Sequence, residues 1–134
     1  MHNELNDFLD DFSGNDPVSP LELREAEQAL GRRLPAEFID LLSILNGGEG
    51  FVGDKYLMIW SAGEIVDYSA QYDVQKYAPG LVVFGSNGGG EAYAFDYRSE
   101  RTPVVKIPFV GMDLKHVREM ALTFIGFLQK LKNE

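Results

Sequence analysis

Four carboxylates are the first residues of this chain that could do chemistry: Glu49 and Asp54 flank one glycine-rich loop, and Glu91 and Asp96 flank an apolar run. Two acids can share acid–base work only if both reach the same substrate. On a strand, Glu91 and Asp96 lie an odd number of residues apart, so they point to opposite faces unless a bulge intervenes. A hard-cation site could be assembled from Glu49, Asp54 and backbone carbonyls, but no calcium-loop spacing of acids is present. The chain has no cysteine, which excludes a thiol nucleophile, and its only histidines are His2 and His116. A Ser-His-acid triad would have to use His116, and neither histidine has a second soft or imidazole ligand at chelating spacing for zinc. Ser86-Asn87-Gly88-Gly89-Gly90 resembles a phosphate loop only in its glycines. No Lys-Ser or Lys-Thr follows, and the segment leads into a strand instead of a helix N-terminus. Trp60, the single tryptophan, closes an apolar run, where it reads as core or as a partly exposed interface anchor.

These groups must be positioned by a small set of elements. Leu5, Phe8, Leu9 and Phe12 share one face of an acidic helix over residues 3–12, which Ser13-Gly14-Asn15-Asp16-Pro17 ends. Ser19-Pro20-Leu21-Glu22 has the capping-box form and starts a helix to Leu30, with Gly31 as its stop. Pro35 opens a third helix with Phe38, Leu41, Leu42 and Leu45 at i, i+3, i+4 and i+7, closed by Asn46-Gly47. Gly47-Gly48-Glu49-Gly50 reads as a turn, and Tyr56–Trp60 as a strand. Ser61–Glu64 repeats the capping box and predicts a helix through Tyr72, broken by Ala78-Pro79-Gly80. Leu81–Gly85 and Glu91–Tyr97 form a hairpin about Asn87-Gly88, and Pro103–Phe109 is a further strand. Val117, Ala121, Phe124, Leu128 and Leu131 repeat at helical spacing, with the start of this last helix between Leu114 and Glu119. Helices, then strands, then a helix predict an α+β layout, with helices on one side of a mostly antiparallel sheet.

The 134 residues suit one domain with a real core. Hydrophobic residues make up 45% and charged residues 25%, the averages of a globular protein. No apolar run approaches the ~20 residues that span a bilayer, the first residues carry no export signal, and cysteine is absent; a cytoplasmic protein without a membrane partner is expected. Charge is the strongest compositional signal: 21 acids against 12 bases give −9, with a sequence pI near 4.6. It is uneven, at −8 over residues 1–50, −4 over 51–100 and +3 over 101–134. Such a chain repels phosphate backbones, which disfavours nucleic acid and favours a basic protein as partner.

Several pieces, in order, resemble the SUKH superfamily, which contains bacterial toxin-immunity proteins and fungal cell-wall-synthesis regulators. They are Glu27-x-x-Leu30-Gly31-x-x-Leu34-Pro35-x-x-Phe38, Leu42-x-x-Leu45-Asn46-Gly47-Gly48, the strand ending in Trp60, Phe84-Gly85-x-x-Gly88-x-Gly90-Glu91-x-Tyr93-x-Phe95-Asp96, and Thr123-Phe124-x-x-Phe127-Leu128-x-x-Leu131. The resemblance implies a single α+β domain over residues 1–134, with 1–16 an acidic helical extension outside the motif. It implies no catalytic residues, no cofactor and no metal. It also implies an immunity protein that caps a toxin domain, often a nuclease, whose basic cleft would complement the acidic surface. Glu49, Asp54 and Glu91, with Trp60 nearby, are the expected partner-binding residues. A regulatory scaffold or small-ligand module using the two glycine-rich loops is the alternative, and hydrolysis by surface carboxylates a third reading.

Overall fold

The computed structural model describes residues 3–134; His2 lies outside the described residues. The element order is α1 (Asn3–Phe8), β1 (Ser13–Gly14), α2 (Pro20–Leu30), α3 (Ala36–Leu42), β2 (Gly48–Val52), β3 (Lys55–Ile59), α4 (Ala62–Gln71), α5 (Val74–Tyr77), β4 (Leu81–Ser86), β5 (Glu91–Asp96), β6 (Val104–Pro108), β7 (Arg118–Ala121) and α6 (Phe124–Asn133), with a 3₁₀ turn at Leu114–His116. The strands form one antiparallel sheet in the order β1-β2-β3-β4-β5-β6-β7, each strand beside its neighbour in sequence. The architecture is α+β, as the order of elements predicts.

Local chemistry accounts for the helix ends. Ser19 and Ser61 each accept from the N–H of the residue three positions on, Glu22 and Glu64, whose side chains accept in return from the serine N–H. Both capping boxes therefore satisfy donors that a helix start leaves unpaired. Gly31 closes α2 in the left-handed region at φ 68°. Three helices differ from expectation, the first because it ends at Phe8 and residues 9–12 form a turn instead of its last turn of helix. The third ends at Leu42 with Ser43 as its cap, so Asn46-Gly47 forms a separate bend; the Asn46 side chain, nearly buried, accepts from the Ala62 N–H at 2.9 Å and ties this bend to the start of α4. The last helix starts at Phe124, where Thr123 accepts from the Gly126 N–H. Val117 and Ala121 belong instead to the edge strand β7 and its approach, because Asp113 caps a short 3₁₀ turn that breaks the helical stripe.

The central strands are covered on both faces. Successive strand residues point to opposite sides, yet Leu81–Ser86 and residues 92–96 are all buried. Coverage is therefore not confined to the one side expected from the sequence. A register shift between Val83 and Gly85 makes Phe84 the extra residue of a bulge. Its ring stacks on Phe95 at 4.4 Å, and α3 and α6 add Phe38, 5.3 Å from Phe84, and Phe124, 5.3 Å from Phe38. Phe127, fully buried, lies 5.8 Å from Phe84, so both rings of the final helix enter the core. Each such side chain buried contributes about 1.5–3 kcal/mol. Next to the bulge, a methyl at Gly85 would run into the Met58 carbonyl, so β3 and β4 approach here only because the residue is glycine.

Candidate functional site

Gly48 and Gly50 lie in the strand β2, where a turn is expected over residues 47–50. Glu49 pairs with Ser13 on one side and Met58 on the other, and Gly48 pairs with Gly14 and Ile59. A Cβ at Gly48 would lie 2.5 Å from the Ser13 carbonyl oxygen. Three backbones therefore converge more closely than side chains allow. Against this edge β3 delivers Trp60, whose N–H donates to the Phe84 carbonyl at 2.8 Å, and α4 delivers Tyr68, whose ring lies 4.6 Å from the indole.

The result is an open cavity of about 370 Å³ walled by Glu49, Met58, Trp60, Glu64 and Tyr68, with Ser13 and Asn15 at its mouth. Trp60 is 8% exposed, so the cavity meets the flank of a mostly buried ring. Glu49 is exposed and accepts from the Tyr56 hydroxyl, which holds the Tyr56 proton more tightly than usual; slight burial adds to the effect. Glu64 accepts from the Ser61 N–H at 2.9 Å. Two carboxylates beside two electron-rich rings form a setting that attracts a cation. Tyr68 and Glu64 escape notice in the sequence because each already has a local explanation, as a helix filler and as a cap.

The four predicted site residues separate. Glu49 and Trp60 share this cavity. Asp54 is exposed in the tight turn between β2 and β3, at the far end of the hairpin from Glu49. Glu91 lines a different cavity, together with Lys106, Lys115, His116 and Arg118. Asp96 is committed elsewhere: its Oδ2 accepts from Arg98 Nη2 at 2.8 Å, and its Oδ1 accepts from Arg98 Nε and N–H, both at 3.0 Å. The Arg98 hydrogen bond holds its carboxyl below the usual range despite burial. The bulge lies on β4, so the alternation along β5 is unbroken and Glu91 and Asp96 make no couple. In the turn after β4, the Gly88 and Gly89 N–H groups donate to Ser86 Oγ and Asn87 Oδ1 at 2.8 and 2.7 Å, which spends them on the turn itself. Among the described residues no three of His, Asp and Glu gather where a metal could be held, and no helix is long and apolar enough to cross a membrane.

Because spatial strand order follows sequence order, the uneven charge of the sequence becomes an uneven surface. Asp7, Asp10, Asp11 and Glu49 collect at the β1–β2 edge, while Lys106, Lys115 and Arg118 collect at the β7 edge. Such a distribution steers charged partners by side.

Fold and site together define an α+β meander domain with a polar, aromatic-walled cavity on an acidic edge. The SMI1/KNR4 family (SUKH-1) matches residues 17–130, and the chain belongs to that family. A search of curated proteins found no match. The motif residues do structural work. Glu27 accepts from the Leu34 N–H at 2.7 Å and joins α2 to the entry of α3, while Asn46 holds the start of α4. Outside the quoted motif, Glu37 accepts from the Ile125 N–H at 3.0 Å and fixes α6 onto α3.

Proposed function

We propose that this protein is an immunity-type binding protein that neutralises a basic toxin domain by covering it, and that it makes or breaks no bond itself. The observation that carries the reading is the cavity in which Trp60 and Tyr68 stand beside Glu49 and Glu64 on the most acidic edge of the molecule. A lysine or arginine of the partner enters it, its charge meeting the carboxylates and its stem lying along the rings. Asp54, on the turn at the far end of the same hairpin, extends the negative field that speeds encounter. Membership of the SMI1/KNR4 family and the net charge of −9 both favour a protein partner of opposite sign. Glu91 is no part of this surface.

The test is co-expression with the toxin encoded beside the gene. The wild-type chain rescues growth and binds the toxin domain in a salt-sensitive manner, and a chain carrying Glu49→Lys and Asp54→Lys rescues poorly. Failure to rescue with every adjacent candidate, or binding indifferent to these reversals, overturns the reading.

A further inference from the structure

The cavity at the opposite edge has the reverse chemistry. Lys106 on β6 and Arg118 on β7 are cross-strand partners, so two cations stand side by side on one face. Like charges placed directly opposite destabilise a sheet. Lys115 and His116, from the 3₁₀ turn, join them around about 380 Å³ of open volume. Among the described residues the ion pairs involve Arg98 with Asp96 and Lys130 with Glu134, so Lys106, Lys115 and Arg118 reach no carboxylate within 4.0 Å. The one acid in the wall is Glu91, whose carboxylate accepts no hydrogen bond and whose Oε2 is shut off from solvent. Three fixed cations against one carboxylate leave a surplus of two positive charges in a protein that is otherwise strongly acidic.

We infer that this cavity is a binding site for a small phosphomonoester, the chemistry shared by nucleoside monophosphates and sugar phosphates. A phosphomonoester carries close to two negative charges at neutral pH and cancels the surplus. Its three terminal oxygens accept from donors converging from several directions, and the Arg118 guanidinium offers a fork matched to two of them. The volume falls within the range of small-molecule sites. This site is distinct from the acidic edge and stands independently of the toxin-binding reading.

Titration calorimetry and thermal denaturation of the full chain test it, with adenosine 5′-monophosphate, glucose 6-phosphate, adenosine, glucose and inorganic phosphate as probes. One or both phosphate esters bind and raise the melting temperature, the two arms telling nucleotide from sugar, while adenosine and glucose do not. Lys115→Ala and Arg118→Ala, both at exposed side chains, each weaken ester binding roughly tenfold. Glu91→Gln removes the one opposing carboxylate from the wall and tightens ester binding. Absence of binding by both esters at millimolar concentration, or affinity unchanged in the Lys115→Ala, Arg118→Ala double variant, overturns the inference. Equal affinity of the wild-type chain for inorganic phosphate and both esters overturns the ester as the ligand class. Growth rescue by the double variant is expected to be normal, so failure here and failure of the immunity reading are told apart.

Discussion

The two edges of the sheet solve the same problem by opposite means. An edge strand leaves backbone donors and acceptors unpaired. At one edge, β2 is covered by the two-residue strand β1, and beyond it the Asp11 carboxylate accepts from the Phe51 N–H at 3.0 Å. Glycine packing and an acidic helix finish that edge. At the other, β7 is a short strand with Arg118 and Glu119 exposed, and charge alone guards it. The first edge is built by steric closeness and the second by electrostatics, so they are expected to fail under different perturbations.

The largest effect is expected from Gly48→Val, which forces a side chain against the Ser13 backbone. It costs about 2–3 kcal/mol in chemical denaturation, whereas Arg118→Val on β7 stays within about 0.5 kcal/mol. Equal losses at both positions would erase the steric contrast. Reversing Glu49 and Asp54 together to lysine slows association with a basic partner about tenfold and flattens its salt dependence, as stopped-flow kinetics can read, while reversing Lys115 and Arg118 to glutamate does not slow it. Between the edges, Asp96→Asn weakens the Arg98 pair and costs about 1 kcal/mol at neutral pH. The sign follows from the lowered carboxyl: folding favours the ionised form, so the contribution is complete above the ordinary value of 3.8 and is lost as pH falls through the lowered one. The asparagine variant therefore has a shallower acid limb in a pH series of denaturation curves. A smaller effect than that of Asp96→Asn is expected from Asp11→Ala, about 0.5–1 kcal/mol, with faster hydrogen exchange at the Phe51 amide.

Wherever a single local rule governs, the chain is legible from its residues. The capping serines, the Gly31 stop and the β4–β5 hairpin all follow from chemistry contained within a few positions. The misreadings arise where distant segments intervene. Gly47–Gly50 looks like a turn because glycine usually marks one; the strand that begins at Gly48 is flanked by Ser13–Gly14, more than thirty residues away. Val117 and Ala121 fit the helical stripe by spacing, yet Asp113 and Thr123 cap other elements on either side of them. Asn46-Gly47 has the composition of a helix stop, but the Asn46 side chain serves α4 instead of α3. For the candidate site, Glu49 and Trp60 are visible as residue types, while their meeting with Tyr68 and Glu64 requires α4, packed on α2 and β4, to bring Tyr68 against Trp60. The grouping of Glu91 with three cations is hidden for the same reason: Lys106, Lys115 and Arg118 come from separate elements.

The contact between the first and last helices bears on how the molecule assembles. Each strand can zip onto the one just made, a sequence of short-range steps that favours rapid folding. Yet α6 lies against α1 and α3, and the Lys132 ammonium sits 5.6 Å from the Phe8 ring. The part of the apolar sheet face that α6 covers is thus closed last, and its docking is the step that shields the surface Phe38 alone leaves open.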